Sequence, residues 1–203
     1  VAQQRELRLE DLPDHEVLVE VEHSSVNYKD ALAVTGRGRI VSAYPIVPGI
    51  DLAGTVLEST DPTVDPGDPV IVCGRGIGEE HWGGYSRLAR VQAEWLIRTP
   101  AGMDSRRAMI AGTAGYTAML AIMILEQQGL RPGDGDVLVT GASGGVGSFA
   151  VAVLSRLGHR VVAATGRPQH AQYLSRLGAA EVIDRAGMVD PPARPMLSAR
   201  WAA

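Results

Sequence analysis

The chain has 203 residues, 45% of them hydrophobic, with 19 Lys and Arg against 23 Asp and Glu and a net charge of −4. That suits one large or two small soluble domains, and the interspersed charges leave no basic face for nucleic acid or an anionic membrane. No apolar run reaches the roughly 18–20 residues needed to cross a bilayer, residues 1–10 are too polar for a secretory leader, and the lone Cys73 permits no internal disulfide. These features predict a cytoplasmic protein.

In the N-terminal half, Val17, Val19 and Val21 alternate within 15–26 and predict a half-buried strand. Residues 27–34 read as a short helix stopped by Thr35-Gly36. Residues 50–58 form a second strand, and the Asp/Pro/Gly cluster at 61–68 a turn. A buried strand, Pro69–Cys73, follows. Short strands at this spacing suggest a small barrel-like β domain. Asp104 is a plausible N-cap for a helical stretch over 108–128, which Gly112 and Gly115 are expected to divide, with Gly129 as its C-terminal cap.

Beyond the 131–135 turn the pattern becomes strand–helix–strand–helix–strand. Strands are expected at 137–140, Arg160–Thr165 and Glu181–Asp184. The helices are expected at 148–157, where Phe149, Val153 and Leu157 share one face, and at 168–177. This alternation implies parallel βαβ units with right-handed crossovers.

Between the first of these strands and its helix stands Gly141-Ala142-Ser143-Gly144-Gly145-Val146-Gly147. A glycine-rich turn here lets backbone approach a pyrophosphate, whose charge meets the open N–H groups of the helix start. Ser143, Gly144, Gly145 and Val146 are therefore candidate cofactor residues. NAD sites usually carry an acidic residue about 20 residues further on. None occurs from 137 to 180, and the second strand ends in Thr165-Gly166-Arg167 instead. A hydroxyl, a close backbone and a guanidinium suit a 2′-phosphate, and Arg185 lies on the same sheet edge. NADP(H) is the expected cofactor.

Several stretches resemble the medium-chain dehydrogenase/reductase superfamily, among them Tyr44-Pro45-Ile46-Val47-Pro48-Gly49-Ile50-Asp51-Leu52-Ala53-Gly54 and Gly67-Asp68-Pro69-Val70. More narrowly, Val26-Asn27-Tyr28-Lys29-Asp30-Ala31-Leu32-Ala33, His81-Trp82-Gly83-Gly84, Gly112-Thr113-Ala114-Gly115-Tyr116 and the glycine-rich turn resemble its acryloyl-CoA reductase branch, the YhdH/AcuI-type quinone oxidoreductases. The resemblance implies an α/β architecture: a GroES-like β-rich catalytic domain over 1–112, then the first half of a Rossmann nucleotide-binding domain over 113–203. It also implies a chain cut at both ends, and a homodimer in the full-length protein.

Zinc-binding relatives use cysteine and histidine where this sequence has Asn27 and Gly49-Ile50-Asp51, so no metal is expected. Cys73 reads as a small buried residue. Without a Lewis acid, reduction of an activated C=C is favoured, acryloyl-CoA to propionyl-CoA. The alternatives are reduction of a quinone and an inert nucleotide-binding fragment. The resemblance places Tyr28 at the nicotinamide end of the cofactor, and Asn27 and Tyr28 are the candidate catalytic pair; equally, they could cap and pack the short helix. Lys29 and Asp30 read as a surface pair, and Arg37, Arg39, Arg75 and Arg87 as solvated cations or contacts for CoA phosphates. His81-Trp82 could line a cleft or anchor a loop.

Overall fold

The computed structural model describes residues 2–188. The family-like stretch at 194–202, and the end of the expected nucleotide-binding domain, lie outside the described residues. The chain divides between Thr113 and Ala114 into two compact units.

The first unit holds β1 (Val17–His23), α1 (Tyr28–Thr35), β2 (Asp51–Ser59), β3 (Pro69–Cys73), β4 (Leu88–Val91) and β5 (Ile97–Arg98). The strands form an antiparallel sheet in the order β4-β1-β2-β3-β5. Val19 pairs with Val56 and Leu52 with Val72, so branched side chains from adjacent strands share one face. That face joins Val17, Val70, Ile77, Val91 and Trp95 in the main core. Leu18 is buried along with its neighbours Val17 and Val19, so β1 begins covered on both faces rather than half-buried. A smaller cluster, Ala53, Ile71, Ala108 and Met109, packs the start of the next helix against β2 and β3.

That helix, α2 (Ser105–Gln127), opens with the Arg107 amide donating to Asp104 Oδ1 at 2.7 Å, an N-cap bond. Its backbone leaves the helical region at Gly112 (φ 47°, ψ −155°), a conformation that a side chain would resist. Gly115, by contrast, continues the helix. One sequence expectation is overturned here: over its 23 residues α2 is long and apolar enough, by length and composition, to cross a membrane. Tyr116, Met119, Leu120, Met123 and Ile124 make an exposed stripe along it.

The second unit continues with β6 (Asp136–Val139), α3 (Gly145–Arg156), β7 (Arg160–Thr165), α4 (Ala171–Arg176) and β8 (Glu181–Asp184). The strands pair in parallel, β6-β7-β8, with Val137 opposite Val161 and Ala163 opposite Val182. Ile122, Val139, Ala142, Val151, Leu154, Val161, Ala163 and Leu174 form the core.

Two helices differ from expectation. α3 starts at Gly145, three residues early, and buries Gly147, Val151 and Leu154. Phe149 and Val153 are only half-buried, and Leu157 is exposed. The reason is Gly147. A Cβ there would collide with the Gly141 carbonyl and Ala142 Cα, so the missing side chain is what lets the helix start lie on the turn. The 168–177 segment is a 3-10 turn, Pro168–His170, running into the short α4.

Candidate functional site

Two groups of residues stand out, one in each unit. In the second unit the carboxyl ends of β6, β7 and β8 converge with the start of α3. The turn after β6 is tied down by Ala142 N–H donating to the Ala164 carbonyl at 3.1 Å and Gly144 N–H to Gly141 O at 2.9 Å. Gly144 is the N-cap, and Gly144, Gly145 and Val146 are exposed. The first-turn amides of an α-helix have no intrahelical partner and carry the positive end of its dipole, so the surface here suits an anion.

Ser143 Oγ lies 3.0 Å from Thr165 Oγ1, which joins the turn to the end of β7. Thr165 is buried, and its hydroxyl oxygen also accepts the Arg167 amide at 3.1 Å. The Arg185 guanidinium, just past β8, lies over Gly166: a Cβ on Gly166 would stand 3.2 Å from one of its terminal nitrogens. Glycine at 166 thus leaves the guanidinium room to lie along the backbone. Arg167 is exposed. The structure therefore brings together Ser143, Thr165, Gly166, Arg167 and Arg185 beside the open amides of Gly145 and Val146. Asp184 stands at the same strand end, with one carboxylate oxygen accepting the Ala186 amide at 2.9 Å. Replacing Gly147 by alanine is expected to push α3 off its turn and weaken anion or nucleotide binding about tenfold, a shift of about 1.4 kcal/mol; titration calorimetry beside a circular dichroism spectrum checks it.

In the first unit the second group surrounds the start of α1. Asn27 is its N-cap, and Tyr28, its first residue, is 81% exposed. Asp30 is not a surface partner of Lys29. It is buried, accepting the Asn27 amide at 2.8 Å and the Ile50 amide at 2.9 Å, whereas Lys29 pairs with Glu79 at 2.8 Å. One buried and one part-buried N–H need acceptors here, and the Asp30 carboxylate supplies both.

Sequence reasoning passed over Asp51, the group's centre. Fully buried at the head of β2, its carboxylate accepts Ser25 Oγ–H, Asn27 Nδ2–H at 3.1 Å, Thr113 N–H at 3.0 Å and Thr113 Oγ1–H at 2.5 Å. Asn27 Nδ2 also reaches Ser25 Oγ at 2.7 Å. The Asn27 amide is thus engaged in holding the loop that presents Tyr28. The one available sequence signal was a carboxylate heading an apolar strand, which is costly unless paired.

Burial, and secondly the Asp51 carboxylate beside it, push the Cys73 thiol up to about 12. Burial and then the nearby Asp30 do the same to Tyr85, also about 12, and its hydroxyl donates to Ser25 O at 3.0 Å. Both groups therefore keep their protons at neutral pH, and Cys73 is poorly suited to act as a nucleophile. The donor set at Asn27, Asp51 and Cys73 does not fit a catalytic zinc: among the described residues no group of three His, Cys, Asp or Glu is placed to hold a metal ion.

Comparison with known proteins finds similar chains. The model of the alcohol dehydrogenase GroES-like domain matches residues 13–101. The chain is 54% identical over 198 residues to the acrylyl-CoA reductase AcuI of Ruegeria pomeroyi, covering 98% of this chain and 60% of that protein. It superposes on the yhdH oxidoreductase of Salmonella enterica in complex with NADP with a TM-score of 0.91, at 52% identity over 92% of this chain and 58% of that one. For Bacillus subtilis yhfP with NAD bound the TM-score is 0.86, at 47% identity over 91% of this chain and 56% of that one. The chain thus spans about 60% of the length of the curated relatives it matches. With the glycine-rich turn, the antiparallel and parallel sheets and these likenesses together, the chain is similar over nearly its whole length to the AcuI/YhdH-type branch of the medium-chain dehydrogenase/reductase superfamily.

Proposed function

We propose that this chain carries the NADP(H)-binding part and much of the substrate domain of a zinc-free reductase of activated C=C bonds, with acryloyl-CoA reduced to propionyl-CoA. The observation that carries this reading is the Thr165-Gly166-Arg167 strand end with Arg185 lying over Gly166. Arginine pairs with phosphate through parallel N–H groups, and two guanidiniums at one strand end favour a 2′-phosphate over a 2′-hydroxyl. The first-turn amides of α3 take the pyrophosphate.

When bound, the reduced nicotinamide supplies the hydride for the β-carbon of the acceptor. This chain's residues do the rest. Asp51 and Asp30 fix the loop from Ser25 to Tyr28, so that Tyr28 is offered at a set position. Tyr28 is assigned to the nicotinamide end of the site, as proton donor to the α-carbon, with Asn27 as its support. An already polarised C=C needs no Lewis acid, which agrees with the unsuitable donor set around Cys73. The protein is further read as cytoplasmic, homodimeric at full length and acting on small molecules, with neither nucleic acid nor membrane as partner; the interspersed charge supports this.

A second reading is NADPH:quinone reduction, favoured by 46% identity to a B. subtilis relative named as a putative quinone oxidoreductase. Steady-state NADPH consumption by the longer protein separates them. A rate that rises with acryloyl-CoA well above the quinone rate supports the first reading; the reverse order supports the second; no rise with either rejects both.

A further inference from the structure

Three rings from separate stretches of the first unit meet beside its core. His15 precedes β1, His81 lies on the 74–84 loop between β3 and β4, and Trp95 ends the 3-10 turn Ala93–Trp95. His81 is tilted over Trp95 with ring centroids 4.7 Å apart, His15 meets Trp95 edge-on at 5.2 Å, and the two imidazoles meet edge-on at 5.9 Å. Trp95 is buried, so the histidines cover one of the larger groups of this core.

The loop that carries His81 also braces Asp51. Gly83 N–H donates to Val47 O at 2.7 Å, Gly84 N–H to Gly49 O at 2.9 Å and Tyr85 N–H to Pro48 O at 2.9 Å. A Cβ on Gly83 would collide with Gly49 O, and one on Gly84 with Asp51 O, so the two backbones lie in direct contact.

We propose that His15, His81 and Trp95 form an acid-sensitive latch, which fastens the 74–84 loop, and through it the backbone leading into Asp51, to the segment ahead of β1. With both imidazoles neutral the rings pack. Two protons place like charges about 6 Å apart on a partly apolar surface, and the latch opens.

The surrounding charges pull both ways. Asp14 and Glu16 flank His15, Glu80 flanks His81, and Glu94 flanks Trp95. Arg90 of β4 donates to the His15 carbonyl at 3.4 Å and pairs with Glu58 at 3.7 Å, adding a cation. Burial first and His81 second hold His15 below its ordinary 6.5, against an upward pull from Glu16 and Asp14. A histidine held below its unfolded value binds its proton less readily in the fold. Its stability contribution is therefore complete above about 6.5 and is lost as pH falls through the folded value.

Amide hydrogen exchange at Gly83, Gly84 and Tyr85 in the full chain tests the latch without any need for activity. Protection factors, which discount the intrinsic pH dependence of exchange, are expected to fall at least roughly tenfold between pH 7 and pH 5. They should stay level in His81→Phe and in His15→Phe, which keep a flat ring and cannot charge. If one variant fails to fold, the other decides. Level protection in the parent chain, or an equal fall in the variants, overturns the proposal.

Discussion

Replacing Arg167 and Arg185 together by alanine is expected to weaken NADPH binding by about 100-fold or more while NADH binding changes by less than about threefold. A hydrogen bond to a charged group contributes about 1.5–3 kcal/mol, and two such groups bear on the one feature that distinguishes the dinucleotides. The two side chains differ in how they are held. Arg185 lies along the backbone at Gly166, whereas Arg167 is exposed, with only its amide fixed by Thr165 Oγ1. Arg185→Ala alone should therefore cost at least as much as Arg167→Ala alone, because a positioned guanidinium loses less entropy on binding. Gly166→Ala is a milder version of the same test, since its methyl would sit 3.2 Å from the Arg185 guanidinium and displace it. Equal losses for NADPH and NADH in the double variant would mean that these arginines hold something common to both, such as the pyrophosphate.

The second large effect is expected at Asp51. Asp51→Ala leaves the Thr113 amide and hydroxyl, the Ser25 hydroxyl and the Asn27 side chain, all partly buried, without their shared and fully buried acceptor. A hydrogen bond to a charged group contributes about 1.5–3 kcal/mol and several are lost at once, so a cost of about 3 kcal/mol or more is expected, which lowers Tm by on the order of 10 °C for a unit of this size. Asp51→Asn keeps the volume but turns NH2 donors toward donors, so it should recover only part of the loss. Thermal melts of the chain, followed by circular dichroism, check both; a shift within a few degrees for Asp51→Ala would contradict the central place given to this carboxylate. Lys29→Ala makes a useful contrast, because its bond to Glu79 is largely exposed and such pairs contribute at most about 1 kcal/mol.

The contrast between Lys29 and Asp51 shows what could be read in the sequence. Strands announced themselves wherever an apolar run was bounded by turn residues, as at Pro69–Cys73, Arg160–Thr165 and Glu181–Asp184. The proposed cofactor residues at the end of β7 were legible because type and place both suggest chemistry: a glycine turn before a helix, and a missing acid replaced by Thr-Gly-Arg. Asp30 and Asp51 were not. A carboxylate in sequence looks solvated by default, and only the folded backbone shows that the amides of Asn27, Ile50 and Thr113 aim at these two. The buried face of α3 was hidden for a related reason. It runs through Gly147, whose contribution is an absent side chain, so hydrophobic periodicity pointed to Phe149 and Leu157 instead. The break in α2 was half legible, because Gly112 and Gly115 read alike as interruptions and only Gly112 takes a non-helical backbone.

The cofactor preference is read most directly by a calorimetric titration of this chain with NADPH and, side by side, with NADH. Saturable binding of NADPH is expected, at least about tenfold tighter than NADH, because the arginines at the ends of β7 and β8 add to the pyrophosphate contacts at α3. Equal affinity for the two, or tighter NADH, would contradict the assignment of Thr165, Gly166, Arg167 and Arg185 to a 2′-phosphate.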